Sequence, residues 1–264
     1  MRHVLAVVAA GCLIAGTFLY TQEAPKEAAA PPPAYEVVSI KPDKSDHSGA
    51  RMELLPSGFR WTNFPVAALI HSAYGVPMDN QIEGLPGWAK SDPYDFEAKA
   101  DAETAALWKD LSYKERWNRQ RPLMQSLLAD RCQLKVHHLT REMPVYDLVI
   151  AKGGLKMKEA PADESSSTAM FGNKMTAHAQ STDSIAAAFQ GAVGRMIVDK
   201  TGLDGKKFDF EVTWADDRRA ADSTADAGPS LFTALEEQLG LKLVPAKGPI
   251  DVLVIDHIER PSAN

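Results

Sequence analysis

Four short blocks occur twice in this chain, in the same order, and that recurrence limits the possible folds more than any other feature. Gly84-Leu85-Pro86-Gly87 returns as Gly202-Leu203-Asp204-Gly205, and Tyr94-Asp95-Phe96-Glu97 returns as Phe208-Asp209-Phe210-Glu211. Leu134-Lys135-Val136 returns as Leu241-Lys242-Leu243, and Pro144 to Ile150 returns as Pro249 to Ile255. The offset falls from 118 (Gly84 to Gly202) to 105 (Pro144 to Pro249), so the second copy is slightly shorter. Four matches in register read as an ancestral duplication, since self-similarity at a fixed order marks repeated supersecondary units.

Local patterns give each copy the same elements. Val66, Leu69, Ile70 and Tyr74 recur near the helical period, with Gly75 as a stop, and Ser181 precedes a second helix through Ile185 and Phe189. Tyr94 to Lys99 and Phe208 to Trp214 alternate as half-buried strands do. Leu123 to Leu128 and Leu231 to Leu239 read as amphipathic helices, with Gly240 as a left-handed stop. Each copy is expected to close on a hairpin. These are 133–140 with 145–151, turning at Arg141 to Pro144, and 241–244 with 251–258, turning at Pro245 to Pro249. Tyr35 to Ile40 and Gly58 to Thr62 add strands at the front.

The resulting expectation is an α+β fold of two tandem related halves, each with helices packed on a small antiparallel sheet. The first half spans 35–155 and the second 169–264. A polar linker (156–168) lies between them, and Arg218 to Gly228 forms a charged insertion in the second half.

The front of the chain reads as an address. Arg2 and His3 precede an uncharged apolar run from Val4 to Tyr20, the pattern of a secretory signal. At roughly 1.5 Å per residue the run reaches about 25 Å, slightly short of the ~30 Å hydrocarbon core. Residues 1–20 are therefore a signal peptide or an N-terminal anchor. Residues 21–34 form an Ala/Pro-rich spacer ending in Pro31-Pro32-Pro33. Ala28-Ala29-Ala30 is a candidate cleavage site, and Cys12 sits too deep in the run to match a lipoprotein site well. The chain is expected to be exported, periplasmic or extracellular, touching the membrane only through residues 4–20 where they are retained.

Composition removes other classes. Lys and Arg number 29 against 35 Asp and Glu, a net charge of −6, and no basic cluster suits a nucleic acid. Two cysteines, Cys12 and Cys132, make no disulfide scaffold, and Cys132 reads as a small buried hydrophobe.

Several blocks resemble a soil-associated protein family of unknown function, expanded in acidobacteria. The resemblance lies in Tyr35-Glu36-Val37-Val38-Ser39-Ile40-Lys41-Pro42, Leu127-Leu128-Ala129-Asp130-Arg131, Val198-Asp199-Lys200-Thr201-Gly202-Leu203 and Gly228 to Leu235 through Val252 to Asp256. It covers the chain from about Tyr35 onward. Some members of that family are fused to a membrane metallopeptidase of antibiotic-sensor type, which implies sensing. The His-Glu-x-x-His motif of that peptidase is absent here, and no catalytic residue transfers. A fainter likeness runs to the short N-terminal periplasmic domain of secretins and TonB-dependent receptors, seen in Leu239-Gly240-Leu241-Lys242-Leu243 followed by a Val-Leu-Val-Ile strand.

Chemistry is sparse. The sequence contains no His-x-x-x-His, Cys-x-x-Cys, Gly-x-Ser-x-Gly or phosphate-loop pattern, so no catalytic residue, metal site or cofactor is expected. His137 and His138 are adjacent on a predicted strand and point to opposite faces. The best carboxylate candidates are Asp95 with Glu97 and Asp209 with Glu211, each pair on one strand face about 7 Å apart, beside a solvated-face reading with Phe96 and Phe210 inward. Trp88, after a Gly-Leu-Pro-Gly turn, is the candidate recognition aromatic. The functional expectation is an exported non-catalytic binding or sensing module whose partner is an envelope protein or small ligand. The alternative is an extracytoplasmic hydrolase with a dispersed site.

Overall fold

The computed structural model describes residues 33–45, 49–215 and 228–262. The expected signal or anchor, nearly all of the spacer, Cys12, and all of the insertion except Gly228 lie outside the described residues.

The first sheet takes β1 (Val37–Pro42), β2 (Arg51–Leu55), β3 (Gly58–Pro65) and β5 (Pro93–Lys99) in the order β1-β5-β3-β2, all antiparallel. After β3 come α1 (Val66–Tyr74), a 3-10 turn (Asp79–Gln81), the two-residue β4 (Ile82–Glu83) and α2 (Gly87–Ser91). After β5 come α3 (Ala102–Ala106), α4 (Tyr113–Cys132) and the 16-residue β6 (Lys135–Ile150).

The remaining elements follow a similar order of strands. β7 (Lys158–Ala160), β8 (Ser167–Phe171) and β9 (Lys174–Gln180) lead into α5 (Thr182–Val193) and β10 (Ile197–Asp199). β11 (Lys207–Thr213), α6 (Leu231–Ala234) with a π-turn (Leu235–Leu239) and the 17-residue β12 (Leu241–His257) complete it. The third sheet has the order β7-β11-β9-β8, which is the order of the first sheet strand for strand. β7 falls inside residues 156–168, the stretch expected as linker.

Helix boundaries follow local chemistry. Ser112 and Glu115 close a capping box at the start of α4, and the Ser181 side chain accepts the Ser184 N–H at the start of α5. Gly75, Gly194 and Gly240 end α1, α5 and the π-turn with φ of 67°, 66° and 69°. Gly240 has a second constraint: a Cβ there would collide with the Gly154 carbonyl.

The expected hairpins are corrected by the middle sheet, ordered β10-β6-β12-β4. Residues 141–144 and 245–249 do not turn. β6 and β12 run straight through them and pair with each other, antiparallel, from Leu241↔Ile150 to Ile255↔Val136. Gly248 is not among the positive-φ glycines, and Arg141-Glu142-Met143-Pro144 holds no residue suited to a left-handed turn. The prolines fit because of ladder alternation. The Tyr146 N–H turns away from β12 to the Met196 carbonyl (2.9 Å), so Tyr146/Pro245 is a non-hydrogen-bonded pair. Pro144/Lys247 and Glu142/Pro249 share that parity, so no proline is asked for an N–H.

Continuity lets each long strand serve two cores. Leu134 and Val136, in and beside the start of β6, pack in the first core, whereas Tyr146 and Leu148 pack in the second. β12 reverses this, with Leu241 and Leu243 in the second core and Leu253 and Ile255 in the first. β4 pairs in parallel with β12, and β10 with β6, so each short strand joins the long strand of the opposite half. Pro32–Asn264 accordingly forms one compact unit.

Candidate functional site

The two Asp-Phe-Glu blocks lie on different sheets and do the same local job. β3 carries one extra residue against β5 between Trp61 and Phe64, and β9 carries one extra against β11 between the partners of Phe208 and Phe210. At each bulge a residue other than glycine takes a positive φ, Asn63 at 61° and Ala179 at 47°. The Asn63 N–H donates to Asp95 Oδ1 (3.1 Å), and the Ala179 N–H donates to Asp209 Oδ1 (2.9 Å). The bulge turns the strand into the following helix, and the aspartate holds it. Phe96 and Phe210 point into the two cores.

The glutamates are engaged as well. Glu97 meets Arg60 (3.1 Å) and Lys99 (2.6 Å), and hydrogen bonds from those two side chains, Arg60 first, draw its carboxyl down to about 2. Glu211 meets Lys174 (2.7 Å). Asp209 is held below the ordinary carboxylate range chiefly by the Ala179 N–H, against the opposing effect of desolvation. A general acid must hold its proton near the working pH, and a carboxyl held near 2 does not. Asp95 and Glu97 share a shallow depression of about 200 Å³ with Ser39, Lys41, Arg60 and Thr62. Asp209 also contacts His178 Nδ1 (2.8 Å), whose Nε2 reaches Glu164 (2.9 Å).

Trp88 is half-buried against the first core, with the Arg260 guanidinium 5.1 Å above its ring. Arg260 in turn pairs with Asp92 and donates to the Tyr94 hydroxyl (3.3 Å). His137 and His138 pair with different aspartates, Asp256 and Asp251. Among the described residues no three His, Cys, Asp or Glu side chains converge as a metal site. Cys132 is fully buried, and desolvation pushes its thiol up to about 12.

The most open chemistry lies elsewhere, between α1 and the first half of α4. Tyr113, Trp117 and Arg121 follow one another at intervals of four and form one stripe of the helix. Tyr113 stacks on Trp117 (6.2 Å, 6°), and Trp117 stacks on the buried Trp61 (5.8 Å, 12°). This aromatic column runs from the core to the exposed Tyr113. Beside it Arg121 lines a cavity of about 300 Å³ with His71, Ser72, Gly75, Val76, Pro77 and Trp117.

The guanidinium of Arg121 lies directly against Gly75, where a Cβ would stand 2.7 Å from Nη1. The left-handed φ favours glycine at Gly75, and a Cβ there would have to displace the flexible end of Arg121. The Arg121 Nε is buried and unpartnered, and among the described ion pairs none includes Arg121. Its position at the end of α1 sets a cation near the helix's negative pole. His71 is spoken for: Nδ1 faces the Val76 carbonyl (2.7 Å) and Nε2 faces Asp79 (2.9 Å). The four-residue spacing was the available signal for this site, and no sequence motif marks it.

Residues 67–258 match the family described as "Protein of unknown function (DUF3738)", and the chain belongs to that family. No curated protein and no solved structure matches it.

Proposed function

We propose that this member of the DUF3738 family is an exported, non-catalytic binding or sensing module of the cell envelope, with its ligand site in the cleft between α1 and α4. The observation that carries this reading is Arg121, a half-buried guanidinium that lines a cavity and, among the described residues, pairs with no carboxylate. Burying part of a cation costs free energy unless an opposite charge or acceptor compensates it. The pole of α1 supplies some compensation, and an anionic group on a ligand would supply the rest. A cleft of about 300 Å³ suits a small molecule, with the Trp117 edge and Pro77 offering apolar contact. The four acids of the Asp-Phe-Glu blocks, each engaged inside the fold, favour binding over hydrolysis.

The export half of the proposal rests on the apolar run from Val4 to Tyr20 and is tested by cell fractionation. We read the two halves as copies of one ancestral unit. The matching sheet orders and the paired bulge clamps support that reading.

Benzoate and phenyl phosphate are suitable first probes, since each joins an anion to a ring. At about 100-fold excess over Kd a ligand stabilises its protein by about 2.7 kcal/mol, which thermal melting detects. The expected result is a raised midpoint for the wild-type chain and none for Arg121→Met. Equal shifts in both would overturn the site. Turnover of ester, glycoside or peptide substrates that Asp95→Asn abolishes would overturn the non-catalytic reading.

A further inference from the structure

Sheet edges invite pairing with other chains, and folded proteins guard them with charges, prolines or brevity. Among the described residues the sheet edges follow that rule with one exception. β1 carries Lys41 and Pro42, and β2 carries Arg51 and Glu53, which pair with each other (2.8 Å). β7 carries Lys158 and Glu159, the latter paired with Lys206 (3.0 Å). In the middle sheet β4 and β10 are only two and three residues long, and Pro144, Pro245 and Pro249 stand along the uncovered stretches of β6 and β12.

β8 is the exception. It is the last strand of the third sheet, and Ser167-Thr168-Ala169-Met170-Phe171 holds neither a charge nor a proline. All five residues are exposed, Phe171 at 81% and Met170 at 50%. Its counterpart by sheet position, β2, is guarded by two ion pairs, Arg51 with Glu53 and Arg60 with Glu53.

We propose that β8 is a self-association edge, pairing antiparallel with β8 of a second copy about a two-fold axis at Ala169. Three features select a second copy as the occupant. First, a neutral strand meets itself with no like charges opposed. Second, the backbone parity is right. Phe171 and Lys174 flank the two-residue Gly172-Asn173 turn as a bonded pair, so Thr168 and Met170 are the residues whose main-chain groups point off the sheet. A two-fold at Ala169 sets Thr168 opposite Met170 of the other copy, and the two exchange both bonds on each side of the axis. Third, sizes alternate: Phe171 falls opposite Ser167 of the other copy, and the small Ala169 meets itself. A five-residue strand covers less than the ~800 Å² per partner of a standard interface. The dimer is therefore weak, half-formed at a concentration on the order of 100 µM.

Sedimentation velocity from about 5 µM to about 1 mM, the range that brackets such an affinity, tests the proposal with two charge variants. The wild-type chain shows a weight-average sedimentation coefficient that climbs with concentration. Ala169→Lys and Ala169→Glu, each placing like charges across the axis, lower the association constant at least tenfold. Their equimolar mixture restores association, because Lys then meets Glu. Unchanged melting midpoints in both variants exclude misfolding, and Met170→Pro, which removes an outward N–H, serves as a third probe. A wild-type chain that stays monomeric throughout overturns the proposal, as do single variants that associate like wild type. A mixture that stays monomeric while wild type dimerises overturns the axis at Ala169.

Discussion

Where the stretch between β5 and β6 carries the 20-residue α4, the described residues between β11 and β12 carry the four-residue α6 and a five-residue π-turn. The flanking parts of the halves are alike: the bulge pinned by an aspartate, the glycine-stopped helix after it, and the long strand that crosses into the opposite core. What repeats is what the fold needs. What differs among the described residues is α4 with its aromatic column and Arg121, and the edge strand with or without charges. Those unshared parts are the ones with surface chemistry left unspent.

The comparison can be broken most forcefully in the cores. Trp61→Ala in the first and Phe208→Ala in the second each remove a fully buried ring, at a cost of about 3–5 kcal/mol. Because β4 and β10 are exchanged between halves, both variants are expected to shift one shared unfolding transition in denaturant. Two separate transitions in either variant would mean that the halves fold independently.

The paired bulges allow a subtler comparison. Ala179 carries a Cβ at φ 47°, which strains it, whereas Asn63 tolerates its φ of 61° better. Ala179→Gly is expected to change stability favourably or by little, within about 1 kcal/mol, and Asn63→Gly to be less favourable than that by some tenths. Thermal melts of the two variants side by side would show this ordering, and the reverse ordering would contradict it. Replacing Asp95 or Asp209 by Ala leaves a bulge N–H without its acceptor, and both variants are expected to melt below wild type.

The smallest expected effect is electrostatic. Glu97 titrates near 2 in the fold against an ordinary 4.5, so its contribution is complete above about pH 4.5 and is lost as pH falls toward 2. With its side chain partly exposed, the contribution stays under about 1 kcal/mol. Glu97→Gln should flatten that part of the stability-against-pH curve. Cys132 supplies an independent check on global unfolding. In a Cys12→Ser background its thiol, pushed up to about 12 and fully buried, should react with a thiol reagent only as the chain unfolds.

Much of the scaffold was legible from local signals. The period-two alternation of Tyr94 to Lys99, the spacing of Val66, Leu69 and Ile70, and the glycine stops all mark elements that the structure contains. The hairpins were not legible, because Pro144, Pro245 and Pro249 look like turn residues. Only the ladder parity of a partner about a hundred residues away makes them acceptable in a strand. Asp95 and Asp209 were visible as repeated acids. Their role depends on bulges that no spacing of side chains announces. The cleft was missed for a related reason: Tyr113, Trp117 and Arg121 form a stripe, but its meaning comes from α1, Gly75 and Trp61 packing against it.

The most direct test of the account is a ¹H–¹⁵N NMR titration of the chain with phenyl phosphate, resolving both helix ends. The account predicts saturable shifts at Ser72, Gly75, Val76 and the Trp117 indole, none at the matching position around Gly194, and loss of the shifts in Arg121→Met. Shifts absent from the α1–α4 cleft, or equal at Gly75 and Gly194, would contradict it.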